Sequence, residues 1–384
     1  MFLLPVLKLM AEKQASDLFI SAGMPISIKI LGTIMPVNGD VLSPEQVKKV
    51  TYELMSEKEQ NDFEQTWEMN FSFPVPDVGR FRVNVFRQRG NVGMVIRYLR
   101  TQTPGLEALR LPPILKDLIM EKRGLILVVG ATGSGKSTTL AAMIEHRNNT
   151  RGGHVLTVED PIEFVFRHNR CVINQREVGI DTKSYHNALV NAMREAPDIL
   201  MIGESRDRET LQQALLYAQT GHLCMSTLHA NNSYHALNRI INFFPHDARS
   251  ALLHDLASSL KAIISQRLVK AVDGKQVAAV EVLLNSKHIQ ELIVKGEIDQ
   301  IKEAIEKSLS PGSTSFEQAL FKLYADGHIT KEEALRNSDS ATNLAWIMNN
   351  AEQNAQRIGA KAPVAVEANA ASFDDFRIDI HAGN

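Results

Sequence analysis

Gly130, Gly135, Lys136 and Ser137 stand in the order and spacing G-x-x-x-x-G-K-S, which is the chemistry of a loop that holds a chain of phosphates. Its members are Gly130, Ala131, Thr132, Gly133, Ser134, Gly135 and Lys136, with Ser137 and Thr138 opening a helix. Backbone N–H groups of 131–136 can turn inward because glycine tolerates positive φ, and the helix offers the phosphates its positive end. Lys136 is placed to reach the β/γ-phosphates and Ser137 to bind Mg²⁺. Cleaving a phosphoryl group with water also needs a metal-facing acid, a group that orients the water, and positive charge on the oxygens. Three further stretches offer these groups. In Thr157-Val-Glu-Asp-Pro-Ile-Glu163 the carboxylates of Glu159, Asp160 and Glu163 follow an apolar strand, and Glu163 is the candidate for polarising water. Ile199-Leu-Met-Ile202 ends in Gly203-Glu204, which makes Glu204 the metal-facing residue, through water. His222 and His229 bracket one apolar strand, and His229 could sense the γ-phosphate.

These residues need a sheet to hold them. Leu125–Val129 reads as a buried parallel strand before the loop, and His154–Glu159, Ile199–Ile202, Leu223–Thr227 and Val277–Leu284 read as further strands with helices between them. One such helix starts at Ser184, carries Ala188, Leu189, Ala192 and Met193 on its apolar side, and stops at Ala196-Pro197. The fold class is therefore α/β, with a mostly parallel sheet over residues 114–285. Residues 1–100 predict a smaller α+β domain: Leu3, Leu7 and Met10 at helical spacing, a helix opening at Ser43-Pro44, and strands near 18–20, 26–31, 69–73, 79–87 and 92–99. Alternation in Arg80–Arg87 puts Arg80, Arg82 and Asn84 on one strand face and Phe81, Val83 and Val85 on the other; by charge alone this is a solvated face. Prolines 104, 112 and 113 mark a 101–113 linker and hinge. Residues 286–349 read as a helical subdomain, and 350–384 as a disordered tail in which Phe373–Ile380 alone could dock on a partner.

The 384 residues exceed one ordinary core, and 44% hydrophobic with 22% charged residues is a globular composition. A net charge of −2 supplies no basic field for nucleic acid, so none is expected as a partner. Cys171 and Cys224 are too few for a disulfide framework or a four-cysteine zinc site and read as buried thiols. The apolar start is too short to span a bilayer, and the expected location is the cytoplasm, docked on a membrane protein.

In order and spacing, Gly130–Thr138, Val158–Phe164, Gly203-Glu204 with Arg206-Asp207, and Thr220–His222 through Thr227–His229 resemble the Walker A, Asp box, Walker B and His box of secretion-superfamily ATPases. Ala15-Ser-Asp-Leu18, Ser21-Ala-Gly23 and Arg80-Phe-Arg-Val-Asn84 resemble the type IV pilus retraction ATPases of the PilT/PilU group, over about residues 1–345. Asn242–Pro245 and Leu292–Glu297 favour the PilU-like branch; Asn285–Gly296 keeps the Leu-Ile pair but not the arginines of the other branch. The resemblance implies a RecA-like motor domain preceded by a PAS-like domain and a homohexamer that binds ATP and Mg²⁺. It also implies His222 and His229 at the nucleotide, and Arg82 and Arg97 meeting the phosphates. The implied partners are a paralogous retraction ATPase and an inner-membrane pilus platform protein, with the ring peripheral at the inner membrane at the pilus base. Ser205 stands where the family generally has an apolar residue.

Overall fold

The computed structural model describes residues 2–30, 32–99, 103–307 and 312–357, and the chain forms two compact units. Within the first, residues 1–103 join 161–167 and 179–181. Its sheet is wholly antiparallel in the order β3-β2-β1-β6-β5-β4, where β1 is Asp17–Ser21, β2 Pro25–Ile30, β3 Thr33–Val41, β4 Glu68–Val75, β5 Gly79–Gln88 and β6 Asn91–Leu99. Arg89 and Gly90 both take positive φ (49° and 79°), which gives the β5–β6 hairpin a two-residue turn whose twist matches its strands. Helices Leu4–Glu12, Pro44–Leu54 and Glu57–Thr66 bury Leu7, Met10, Val47, Val50 and Phe63 with Phe81, Val83 and Val85 of β5. The last two helices start with capping boxes, Ser43 with Gln46 and Ser56 with Glu59. The alternation predicted for β5 is present: Phe81, Val83 and Val85 face the core, so Arg80, Arg82 and Asn84 take the opposite face.

In the second unit seven strands run in the order β13-β12-β7-β11-β10-β8-β9. They are β7 Gly124–Val129, β8 Gly153–Glu159, β9 Cys171–Glu177, β10 Ile199–Ile202, β11 Leu223–Leu228, β12 Leu260–Lys270 and β13 Gln276–Leu284. All pairs are parallel except β12 with β13. Strands β7, β10 and β11 are buried at every residue, as expected when helices cover both faces. The chain is thus the α/β protein with a mostly parallel sheet that its sequence predicts. β3, β9, β12 and the helix Glu57–Thr66 are not foreseen there.

Among the described residues five helices follow β13: Lys287–Lys295, Gln300–Glu306, Phe316–Ala325, Lys331–Asn337 and Ala341–Arg357. Ile289, Leu292, Ile293 and Ile301 of the first two join the main sheet core, whereas Phe316, Leu320, Tyr324, Ala334, Leu344 and Met348 build a separate core on Val269, Val277 and Ala279. Two sequence expectations need correction. Met193 is exposed, because the helix from Tyr185 stops at Ala192 and a tighter 3₁₀ turn, Met193–Glu195, swings that side chain off the apolar face. The tail does not begin at 350, since the last helix runs on to Arg357; residues 358–384, with the Phe373–Ile380 segment, lie outside the described residues. Cys171 and Cys224 are free and buried, and burial pushes both thiols up from their ordinary values. Among the described residues no helix is long and apolar enough to cross a membrane.

Candidate nucleotide site

Parallel pairing brings the ends of β7, β8, β10 and β11 to one edge of the sheet. Val129 pairs with Leu228, Ile202 with Ser226 and Ile202 with Val158, so the phosphate loop, His229, Gly203 and Glu159 follow strand ends that lie side by side. The loop passes directly into the helix Lys136–Thr150, whose N-cap is Gly135 at φ 88° with no side-chain cap, which leaves the first N–H groups without a capping oxygen. A Cβ on Gly135 would stand 2.9 Å from Gln266 Nε2, the end of a side chain that can shift, so it is the positive φ that calls for glycine here. Lys136 Nζ donates to the loop's own carbonyls, Gly130 O at 3.0 Å and Ala131 O at 2.8 Å. Ser134 Oγ is buried without a hydrogen-bond partner. An uncapped helix start, a buried hydroxyl with no partner and a lysine folded over the loop are the features of a cradle that fits phosphate oxygens. Ser137 and Thr138, half-buried in the first helical turn, complete it. Among the described residues no cluster of three His, Cys, Asp or Glu could hold a metal by itself.

Beside the cradle Glu204 is the centre of a charge cluster. Arg206 Nε donates to its Oε2 at 2.7 Å, His229 Nε2 lies 3.2 Å from its Oε1, and Arg206 also reaches Asp160 Oδ2 at 3.6 Å. The hydrogen bond to Glu204 raises Arg206 above its ordinary value. Gly203 precedes the cluster in a tight place: a Cβ there would meet Tyr185 Oη at 3.0 Å and Glu159 Cα at 3.2 Å, so its neighbours would have to give way. Burial, and then the nearby Asp160, push the Tyr185 phenol up, so it stays protonated in this acidic corner. Thr227 Oγ1 donates to Gly203 O at 2.6 Å, and Ser205 N to Thr227 O at 2.9 Å, fixing the turn that presents Glu204. Ser205 itself is buried, its hydroxyl 2.9 Å from that of Ser226.

The three carboxylates of the 157–163 stretch part company. Glu159 is buried and accepts from Thr157 Oγ1 at 2.7 Å and Gln175 Nε2 at 3.3 Å; Asp160 joins Arg206; Glu163 is exposed on the 161–167 segment that belongs to the first unit. The two histidines separate as well. His222 stands at the start of β11, its carbonyl accepting from Gly124 N at 3.0 Å, its Nδ1 3.2 Å from Thr220 Oγ1 and its ring edge-on to Tyr217. Six residue steps to Leu228 at ~3.3 Å each put it ~20 Å from the edge that carries the loop, which corrects the expectation that it lies at this chain's phosphates. In the first unit Arg82 and Arg97 are direct partners across β5 and β6, and Arg97 Nε donates at 2.9 Å to Asp17, its partner on β1. Like charges placed opposite each other repel, and Asp17 offsets this pair.

Sequence reasoning missed Gln266 and Tyr185. Gln266 Oε1 accepts from Thr139 Oγ1 at 2.7 Å, and with Leu109, Leu111, Thr138, Leu268 and Val277 it lines a cavity of about 420 Å³ beside the loop, of a size and polarity suited to a nucleoside. Its signal, a polar residue inside the apolar run of β12, became visible once that strand was known.

Residues 5–291 match the Type II/IV secretion system protein family. The chain is 50% identical over 340 residues to the type IV pilus ATPase PilU of Pseudomonas aeruginosa, covering 88% of this chain and 89% of that one. It is 42% identical over 324 residues to the type IV pilus retraction ATPase PilT of the same organism, with coverage of 84% and 94%. The crystal structure of the pilus retraction motor PilT with bound ADP superposes with a TM-score of 0.83 at 41% identity, covering 89% of this chain and 99% of that one.

Proposed function

This chain belongs to the Type II/IV secretion system protein family, and on that premise we propose that it is an ATP-hydrolysing motor that promotes type IV pilus retraction as a homohexamer. The observation that carries the reading is the shared edge, where an uncapped phosphate cradle stands beside a carboxylate, Glu204, flanked by Arg206 and His229. Binding exchanges the bonds of Lys136 to Gly130 O and Ala131 O for bonds to phosphate oxygens, and gives the Ser134 hydroxyl a partner. Mg²⁺, when bound, would be held by the Ser137 hydroxyl and, through water, by Glu204, and would supply positive charge against the phosphate oxygens. To His229, 3.2 Å from Glu204, we assign the sensing of the γ-phosphate. We assign the orientation of the attacking water to Glu163, and charge on the phosphates to Arg82 and Arg97. Purified protein should show Mg²⁺-dependent ATP hydrolysis that Lys136→Ala and Glu204→Ala each abolish, with circular dichroism and melting temperature unchanged. Wild-type turnover in both variants would overturn the reading.

A second reading is favoured by one feature, the loss of the arginines in 285–296 together with higher identity to PilU than to PilT. In it the ring works at the cytoplasmic face of the inner membrane with a paralogous retraction ATPase and a pilus platform protein, and its own hydrolysis is secondary. Cells carrying only Lys136→Ala decide: full retraction force there, with force lost on deleting the gene, selects the accessory role. The near-neutral net charge of −2 disfavours a nucleic-acid translocase.

A further inference from the structure

The strand β12 is longer than its neighbour. Ser265 pairs with Val129, the last residue of β7, so Gln266 to Lys270 continue past the point where the phosphate loop leaves the sheet. Side-chain alternation then sends three consecutive residues to different duties. Gln266 faces the phosphate-loop helix through Thr139. Ser265 and Arg267 point the other way. The Ser265 hydroxyl donates to Glu281 Oε1 at 2.9 Å, and the same oxygen accepts from Ser233 N at 2.8 Å. Arg267 donates to Asn231 O at 3.2 Å and to Asn337 O at 2.6 Å, pairs with Asp339, and lies 3.9 Å over the Phe316 ring.

Asn231, Asn232 and Ser233 come two to four residues after His229, so each point of the segment that carries His229 away from Glu204 is pinned. Arg267 holds Asn231, Asp339 accepts from Asn232 Nδ2 at 3.0 Å, and Glu281 holds Ser233. Asn232 already caps its helix through His235 N, at 3.0 Å, so the bond to Asp339 is additional to what the helix start requires. Asn337 ends the helix Lys331–Asn337 and Asp339 lies in the connector to the last helix; these two helices share a core of their own. A partly buried guanidinium whose two terminal nitrogens reach acceptors on different segments is the side chain best suited to hold two such elements in one geometry.

We propose that Arg267 and Asp339 are positioning residues that hold the His229 segment against Glu204, and thereby tie the arrangement of the C-terminal helices to the nucleotide site. This rests on the ATPase reading given above. The clamp contacts no phosphate; it acts through His229, and a rearrangement of the last helices would loosen that histidine without touching the phosphate cradle.

The test uses the full chain, with steady-state ATP hydrolysis measured for wild type, Asp339→Asn, Arg267→Lys, His229→Ala and the double variant His229→Ala/Asp339→Asn, alongside their melting temperatures. Asp339→Asn keeps the shape and removes the charge; it should lower kcat about 10-fold with KM for ATP close to that of wild type. In the His229→Ala background the same change should cost nothing further, because the route by which it acts is already gone. Arg267→Lys keeps the charge, loses the fork, and should show the same split; it decides the matter if Asp339→Asn fails to fold. Wild-type kcat in these folded variants, or losses that multiply in the double variant, overturns the inference alone. Absence of turnover in wild type overturns the ATPase reading and this inference with it.

Discussion

Ser205 shows how one hydroxyl can occupy an apolar position. It is buried 2.9 Å from the Ser226 hydroxyl, which has a second, longer contact to Thr227 O at 3.4 Å. Two hydroxyls that satisfy each other behave as one small unit behind Glu204, and removing a single member leaves the other short of a partner. Ser226→Ala should therefore cost about 1–3 kcal/mol in urea unfolding, Ser205→Ala less, and the double alanine variant less than the sum. Strict additivity would show that the pair is not coupled. Glu204 needs the same local reading, since Arg206 and His229 both hold it before any ligand arrives. Its place at a strand end was legible from Ile199–Ile202; its two partners were not, because they are fixed by neighbouring strand ends and not by sequence spacing.

Among the elements, β12 was invisible in the sequence for a physical reason. The helix Arg249–Ser259 passes straight into the strand at Leu260 (φ −60°, ψ 136°) with no glycine or proline between them, and a strand buried on both faces shows no alternation to mark it. Its partner β13 was legible, but not the meaning of the acid in its middle. Glu281 is directly opposite Ser265, buried, and held above the ordinary glutamate value of 4.5 mainly by burial, against the lowering effect of bonds from Ser233 and Ser265. The folded state therefore keeps this proton to higher pH than the unfolded chain does. The contribution is present below pH 4.5 and is lost as pH rises through the elevated value. Glu281→Gln keeps an acceptor oxygen and has no charge to bury, so its melting temperature should gain on wild type as pH rises from about 4 to about 8. A gap that is constant or narrows with pH would contradict the raised value.

For the whole molecule, the assembly carries the remaining weight. Native mass spectrometry with ATP should find a species at six times the 42.7 kDa chain mass; a monomer at every protein concentration would contradict the ring. The two units were readable in outline from the change of pattern near the prolines, because antiparallel hairpins and βαβ units leave different local signatures. The assignment of 161–167 to the first unit was not, since a short excursion out of a strand end carries no local sign of which body it joins.

By itself the sequence determined what is contiguous: the strand, loop and helix that make a phosphate cradle, and the strand ends that bear Glu204 and His229. Each is specified by neighbours within a few residues, and backbone geometry does the rest. Tertiary structure alone decided which distant groups meet. Parallel register put His229 beside Glu204 and left His222 at the far end of the same strand; the neighbouring β9 gave the buried Glu159 its bond from Gln175. The overhang of β12 set Gln266 against the phosphate loop and Arg267 against the C-terminal helices. Such meetings depend on strand order and overhang, which are settled by packing across the whole sheet.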